Sequence, residues 1–176
     1  MKKNLIILSL LLFVLFWSCN NQQSEQEIKN QVAKELVQEQ ALVEFQDYGP
    51  NPFVFDLEAY TVQNETYRTA IWTGEFMQMT VMNILPGEDI GLEIHEDHDQ
   101  FLRVEQGVGF VQMGDSEDNL DFEAIAEEDF GIFIPAGKWH NVTNKSDEPL
   151  KLYSIYSPAE HPYGTVHKTQ EEGLEH

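Results

Sequence analysis

Between residues 67 and 157 the apolar positions fall in short runs broken by Gly, Pro and acidic clusters. Tyr67 to Thr73 and Phe76 to Leu85 predict two strands joined by a turn around Gly74, and Pro86-Gly87-Glu88 predicts the next turn. Further strands are predicted at Ile90 to His95, Gln100 to Gln106, Val108 to Met113, Leu120 to Ala126, Phe130 to Ile134, His140 to Asn144 and Leu150 to Ser157. Many short strands at close spacing, with no long helical pattern between them, predict an all-β sandwich or barrel and exclude a parallel α/β sheet. Upstream the period changes. Ser24-Glu25-Gln26-Glu27 reads as a capping box, and Ile28, Val32 and Leu36 recur every fourth residue, with Val43 seven further on. That pattern predicts a short N-terminal helix or tether, ended by Gly49-Pro50 and Pro52. From Phe53 onward the pattern reads as β, and from Pro158 the tail is polar, with His161 and His167.

The first residues form an address. Lys2 and Lys3 precede an apolar run from Leu5 to Trp17, broken only by Ser9, and Ser18-Cys19 and the polar run Asn20 to Ser24 follow. The run is short for a membrane-spanning helix, which needs about 20 apolar residues. The stretch resembles a bacterial lipoprotein signal, which implies cleavage before Cys19 and lipidation of its thiol. The expected organisation is therefore a signal at 1–18, a lipid-anchored tether or helix at 19–50, a β domain at 51–157 and a tail at 158–176. The expected location is the cell envelope, on the periplasmic side or the cell surface. Cys19 is the chain's one cysteine, so no intramolecular disulfide can form.

Charge narrows the partners. The chain holds 10 Lys and Arg against 31 Asp and Glu, a formal net charge of -21. A phosphate backbone would be repelled, so no nucleic acid is expected. Electrostatic docking on anionic lipid is excluded for the same reason, which leaves acyl chains as the means of membrane attachment. The acidic stretch Asp115, Glu117, Asp118, Asn119 and Asp121 lacks the glycine and terminal glutamate of an EF-hand loop and reads as a solvated hairpin tip.

The candidate chemistry lies at strand ends. Glu93 and His95, two apart on a predicted strand, point to one face. Gln100 lies past a short polar turn, and His140 follows Pro135-Ala136-Gly137-Lys138-Trp139. These four offer oxygen and nitrogen donors to a divalent metal. His98 shares the turn and is an alternative ligand, but its polar surroundings, Glu96 to Asp99, predict an exposed loop residue. Arg103 and Glu105 have the opposite parity to Gln100 and are expected to face away from the ligands. Trp139, Tyr153 and Tyr156 read as packing residues, and His161 as a surface residue.

These spacings resemble the cupin family. Gly87, five residues, Glu93-Ile94-His95, four residues, Gln100, six residues and Gly107 follow its first motif. Asp129, five residues, Pro135-Ala136-Gly137, two residues, His140, three residues and Asn144 follow its second. The resemblance spans roughly Arg68 to Ser157 and implies a double-stranded β-helix, a jelly-roll barrel, with one metal ion held by Glu93, His95, Gln100 and His140. It also implies a homodimer. The chain is similar to small single-domain cupins, a branch that includes generic cupins and sugar-phosphate isomerase-like proteins. Three positions depart from the motifs: Glu93 replaces a histidine, Gln100 a glutamate and Asp129 a glycine. The first two departures compensate in charge, since the four ligands still carry one negative charge.

Mn, Fe, Ni and Zn all suit such donors. Glu93, His95 and His140 also have the two-histidine, one-carboxylate composition that suits non-haem iron(II). Three functions stay open: a metal-dependent enzyme acting on a small polar, sugar-like ligand, an iron-dependent oxygenase, and a non-catalytic metal or carbohydrate binder. A phosphorylated sugar is disfavoured by the scarcity of Lys and Arg.

Overall fold

Alternation of inward and outward side chains along each strand sets the architecture. A computed structural model describes residues 42–175. The expected signal, Cys19 and the helical pattern from Ser24 as far as residue 41 lie outside the described residues. The elements are α1 (Leu57–Gln63), β1 (Arg68–Thr73), β2 (Gln78–Ile84), β3 (Asp99–Gln106), β4 (Gly109–Gly114), β5 (Phe122–Ala126), β6 (Gly131–Ile134), β7 (Trp139–Asn144), β8 (Leu150–Ser157), β9 (Val166–His167) and α2 (Gln170–Leu174). A six-stranded sheet runs β6-β3-β8-β2-β1-β9 and a three-stranded sheet runs β5-β4-β7. Every strand pairing is antiparallel. This is the expected all-β jelly roll, with a short helix before the strands.

Register decides what the barrel encloses, because residues directly opposite on neighbouring strands share a face. On the large sheet one inward row is Arg68, Met82, Leu152 and Val104. The next holds Thr80, Ser154 and Leu102, and the next Gln78, Tyr156 and Gln100. The inner face thus grades from apolar to polar along the strands. Its apolar end packs on Val111, Val142 and Ala126 of the small sheet to form the core. At the polar end the small sheet contributes His140, opposite Met113.

The outer face of the large sheet is apolar too, and the segment before the strands covers it. Ile71, Met79, Val81 and Tyr153 pack there against Tyr60 of α1 and against Tyr48, Phe53 and Phe55. The Tyr48 and Phe53 rings stack with centroids 4.0 Å apart. Those aromatics made the stretch after Phe53 read as β. It is α1 instead, begun by Asp56, whose side chain accepts from the Ala59 amide. Asp47 fixes this cover. Its carboxylate accepts from the Gly49 and Thr73 amides, the Thr73 hydroxyl and the Gly164 amide.

Two motif positions have structural roles. Asn144 donates to the carbonyls of Ile84 and Glu148, joining β7 to β2 and to the turn before β8. Asp129 has φ 71, the left-handed region that explains a glycine at this point of the motif. Its carboxylate pairs with Arg103, which also bonds Glu105 at 2.8 Å, so these side chains do face away from the ligands. The acidic stretch is a hairpin tip between β4 and β5, closed by the Asn119 amide on the Ser116 carbonyl at 3.0 Å.

Candidate metal centre

The strand expected from Ile90 to His95 does not form. Asp89 and Glu93 make only isolated bridges, to Thr143 and His140. Gly91 takes φ 93 between them, with its amide on the Asp89 carboxylate at 3.0 Å, which turns the chain out of strand geometry. The expected proximity of Glu93 and His95 holds without the strand, because backbone bonds pin both to the second motif. The Glu93 amide donates to the His140 carbonyl at 3.1 Å and the His140 amide to Glu93 at 2.9 Å. The Gly137 amide donates to the His95 carbonyl at 2.7 Å.

Glu93, His95 and His140 each present one ligand atom within 4.8 Å of the others. Glu93 Oε1 lies 3.2 Å from His140 Nε2 and 3.5 Å from His95 Nε2. Ligands about 2.1 Å from a common ion would stand about 3 Å apart at right angles, so the spacing suits one ion. His140 is fully buried, and its Nδ1 lies 2.9 Å from the Lys138 carbonyl. A proton on Nδ1 satisfies that carbonyl and leaves the Nε2 lone pair for a metal.

Gln100 is oriented in the same way. Its Nε2 donates to Ser154 Oγ at 2.9 Å, while its buried Oε1 makes no hydrogen bond of normal geometry. An amide oxygen freed at this point fits a fourth, weaker ligand. The four expected ligands thus gather at the polar end of the barrel.

The side chains of the cluster shift one another's charge. Burial would raise the Glu93 carboxyl, but the His140 hydrogen bond and the nearby His95 imidazole outweigh it and hold Glu93 at about 2. Burial pushes His95 down, yet the close Glu93 carboxylate and the charge of Glu160 leave it raised overall.

Two expectations are corrected here. His98 is not an exposed loop residue: it is buried and stacks on His95 with ring centroids 4.5 Å apart. Its Nε2 lies 3.2 Å from Glu160, so His95, His98 and Glu160 form a second cluster of potential ligands beside the first. His161 is not on the surface either. Its ring meets Tyr156 edge-on at 5.2 Å, and its Nε2 is buried. Both corrections have one cause, the segment after β8. Gln78 donates to the His161 carbonyl at 2.8 Å and accepts from its amide at 2.9 Å, which draws residues 158–163 over the polar end. Sequence reasoning missed Glu160 altogether. The run Glu160-His161-Pro162 was a signal for it, as a donor pair held by a proline.

The cupin domain family matches residues 80–156, a span that contains all four candidate ligand positions. The uncharacterized protein YrkC of Bacillus subtilis is 56% identical over 128 residues, which are 73% of this chain and 69% of that protein. Protein L612 of Acanthamoeba polyphaga mimivirus is 41% identical over 115 residues, or 65% of this chain and 70% of that protein. The crystal structure of BH2720 from Bacillus halodurans is similar with a TM-score of 0.74 at 54% identity, covering 74% of this chain and 99% of that one. With the family match over residues 80–156 and relatives this similar, the chain belongs to the cupin family.

Proposed function

We propose that this cupin holds one divalent metal ion with Glu93, His95 and His140 as main ligands and Gln100 as the weakest, and that it acts on a small polar molecule entering the barrel. The observation that carries the reading is the clustering of the three donors, with the His140 imidazole and the Gln100 amide oriented from behind. A bound ion would supply Lewis acidity, polarising a carbonyl or hydroxyl oxygen of the ligand. The chain's own residues hold the donors rigid and bury them: His95, Gln100 and His140 are all buried. The same donor composition supports a second reading, iron(II) oxygenase chemistry, because two histidines and one carboxylate suit non-haem iron. We also propose export and anchoring through acylated Cys19, supported by the Lys-apolar-Ser18-Cys19 order.

Elemental analysis of the purified protein tests the reading and divides its branches. Manganese, nickel or zinc favours Lewis-acid chemistry, and iron favours the oxygenase. Absence of any divalent ion after incubation with each of the four rejects both. Gln100→Glu restores a carboxylate at the weakest position and is expected to tighten binding or change metal preference.

A further inference from the structure

The inward row that begins the apolar end of the barrel contains one residue that does not belong among hydrocarbons. Arg68 stands opposite Met82 on β2 and is only 2% exposed. Its guanidinium lies 5.4 Å from the centroid of the Tyr67 ring. Its Nε is buried without a hydrogen bond, and among the described residues no carboxylate pairs with it. The chain has 31 Asp and Glu, so this is not for want of acidic residues. A buried guanidinium without a carboxylate partner is costly relative to an apolar side chain of the same shape. A fold keeps such a group where something else supplies the negative charge.

The surroundings define what that is. Tyr156, on the same inner face, and His161, which covers it, both feel the charge of Arg68. Burial first, and then Arg68, push the His161 ring down to about 3, so it is neutral near pH 7. Burial raises the Tyr156 phenol, which therefore keeps its proton. Glu93 acts on the same two groups from the metal-centre side without pairing with Arg68, and the buried His161 Nε2 also lacks a partner. The Tyr156 ring adjoins both the candidate metal centre, 5.8 Å from His95, and the covering segment, 5.2 Å from His161.

We propose that Arg68 binds the carboxylate of a small organic acid whose other end reaches the metal centre, so that the ligand class is an organic anion and not a neutral sugar. The assignment rests on the metal reading only for what the far end of the acid meets. A planar guanidinium offers two parallel N–H donors that match a carboxylate. A phosphate dianion would gather more cations and would be repelled more strongly by Glu93.

The test uses the full chain, malonate as probe and neutral malonamide as its uncharged counterpart. Each is titrated into metal-loaded and chelator-treated protein by calorimetry, with metal content and Tm measured on the same samples. Wild type is expected to bind malonate and not malonamide in both states. Arg68→Gln and Arg68→Met are expected to weaken malonate binding about tenfold or more while keeping the ion. Arg68→Met should melt at or above the wild-type temperature, because it replaces an unpaired buried charge with a side chain of similar length. Equal malonate binding in wild type and both variants overturns the assignment, as does equal binding of malonate and malonamide by wild type. A clear drop in Tm in both variants would make Arg68 structural and also overturn it. If wild type holds no ion, the metal reading fails, and titration of the metal-free chain still decides the role of Arg68.

Discussion

Replacing Asp47 with alanine tests how the segment before the strands is held on the barrel. The carboxylate accepts four hydrogen bonds: from the amides of Gly49 at 3.0 Å, Thr73 at 2.9 Å and Gly164 at 3.0 Å, and from the Thr73 hydroxyl at 2.6 Å. It therefore joins three parts of the chain: the cover, the end of β1 and the segment after β8. Each bond to a charged acceptor contributes roughly 1.5 kcal/mol net, but donors near the surface recover water once the acceptor is gone. The expected loss is then about 3 kcal/mol, half the simple sum. For a fold of this size that lowers Tm by roughly 10 °C. Asp47→Asn keeps one acceptor oxygen, for the Gly49 and Thr73 amides, but turns an amide NH2 towards the Gly164 donor, so it should cost about half as much. Urea unfolding of metal-free protein, followed by far-UV circular dichroism, reads both values. An alanine variant within about 1 kcal/mol of wild type, or an asparagine variant no more stable than alanine, would refute the carboxylate as the lock.

Three further outcomes follow from separate parts of the molecule. Cys19→Ser should leave uncleaved precursor and abolish labelling by a fatty-acid probe in the native host, and a wild-type chain that takes up no label contradicts the lipoprotein reading. Asp129→Val should destabilise by about 1–2 kcal/mol, because a β-branched residue resists φ 71 and the Arg103 pair is lost, whereas Asp129→Gly should cost less. The gain in Tm on adding a divalent ion should grow between about pH 5 and about pH 8, since the ion needs neutral imidazoles and the raised His95 holds its proton longer than usual. In the metal-free protein the signs differ. The His95 contribution is present at low pH and lost as pH rises through its raised folded value, while the Glu93 contribution persists until pH falls through about 2. A metal-dependent gain in Tm that does not change with pH refutes ligation by these histidines.

The candidate ligand positions could be located in the sequence because the cupin motifs tie them to turns whose backbone is local: Gly87 to Gly107, and Asp129 to Asn144. Most strands were legible from short apolar runs between breakers, but the run Ile90 to His95 misled because Gly91 turns the chain out of strand geometry. What escaped depends on partners distant in the chain. His98 sits in a polar run, and only the arrival of Glu160, sixty-two positions later, buries it. Arg68 reads as the polar start of a strand, and its inward direction follows only from its register with Met82. Helix α1 was hidden by the aromatic residues that pack it on the sheet.

Metal stoichiometry on a small set of variants tests the central claim most directly. The account predicts one divalent ion per chain in wild type, none in His95→Ala or His140→Ala, and a weakened but present ion in Gln100→Ala. His98→Ala should retain the ion, because an ion at Glu93, His95 and His140 does not need His98. Full stoichiometry in both His95→Ala and His140→Ala would contradict the site. Loss in His98→Ala with retention in His140→Ala would place the ion instead between His95, His98 and Glu160.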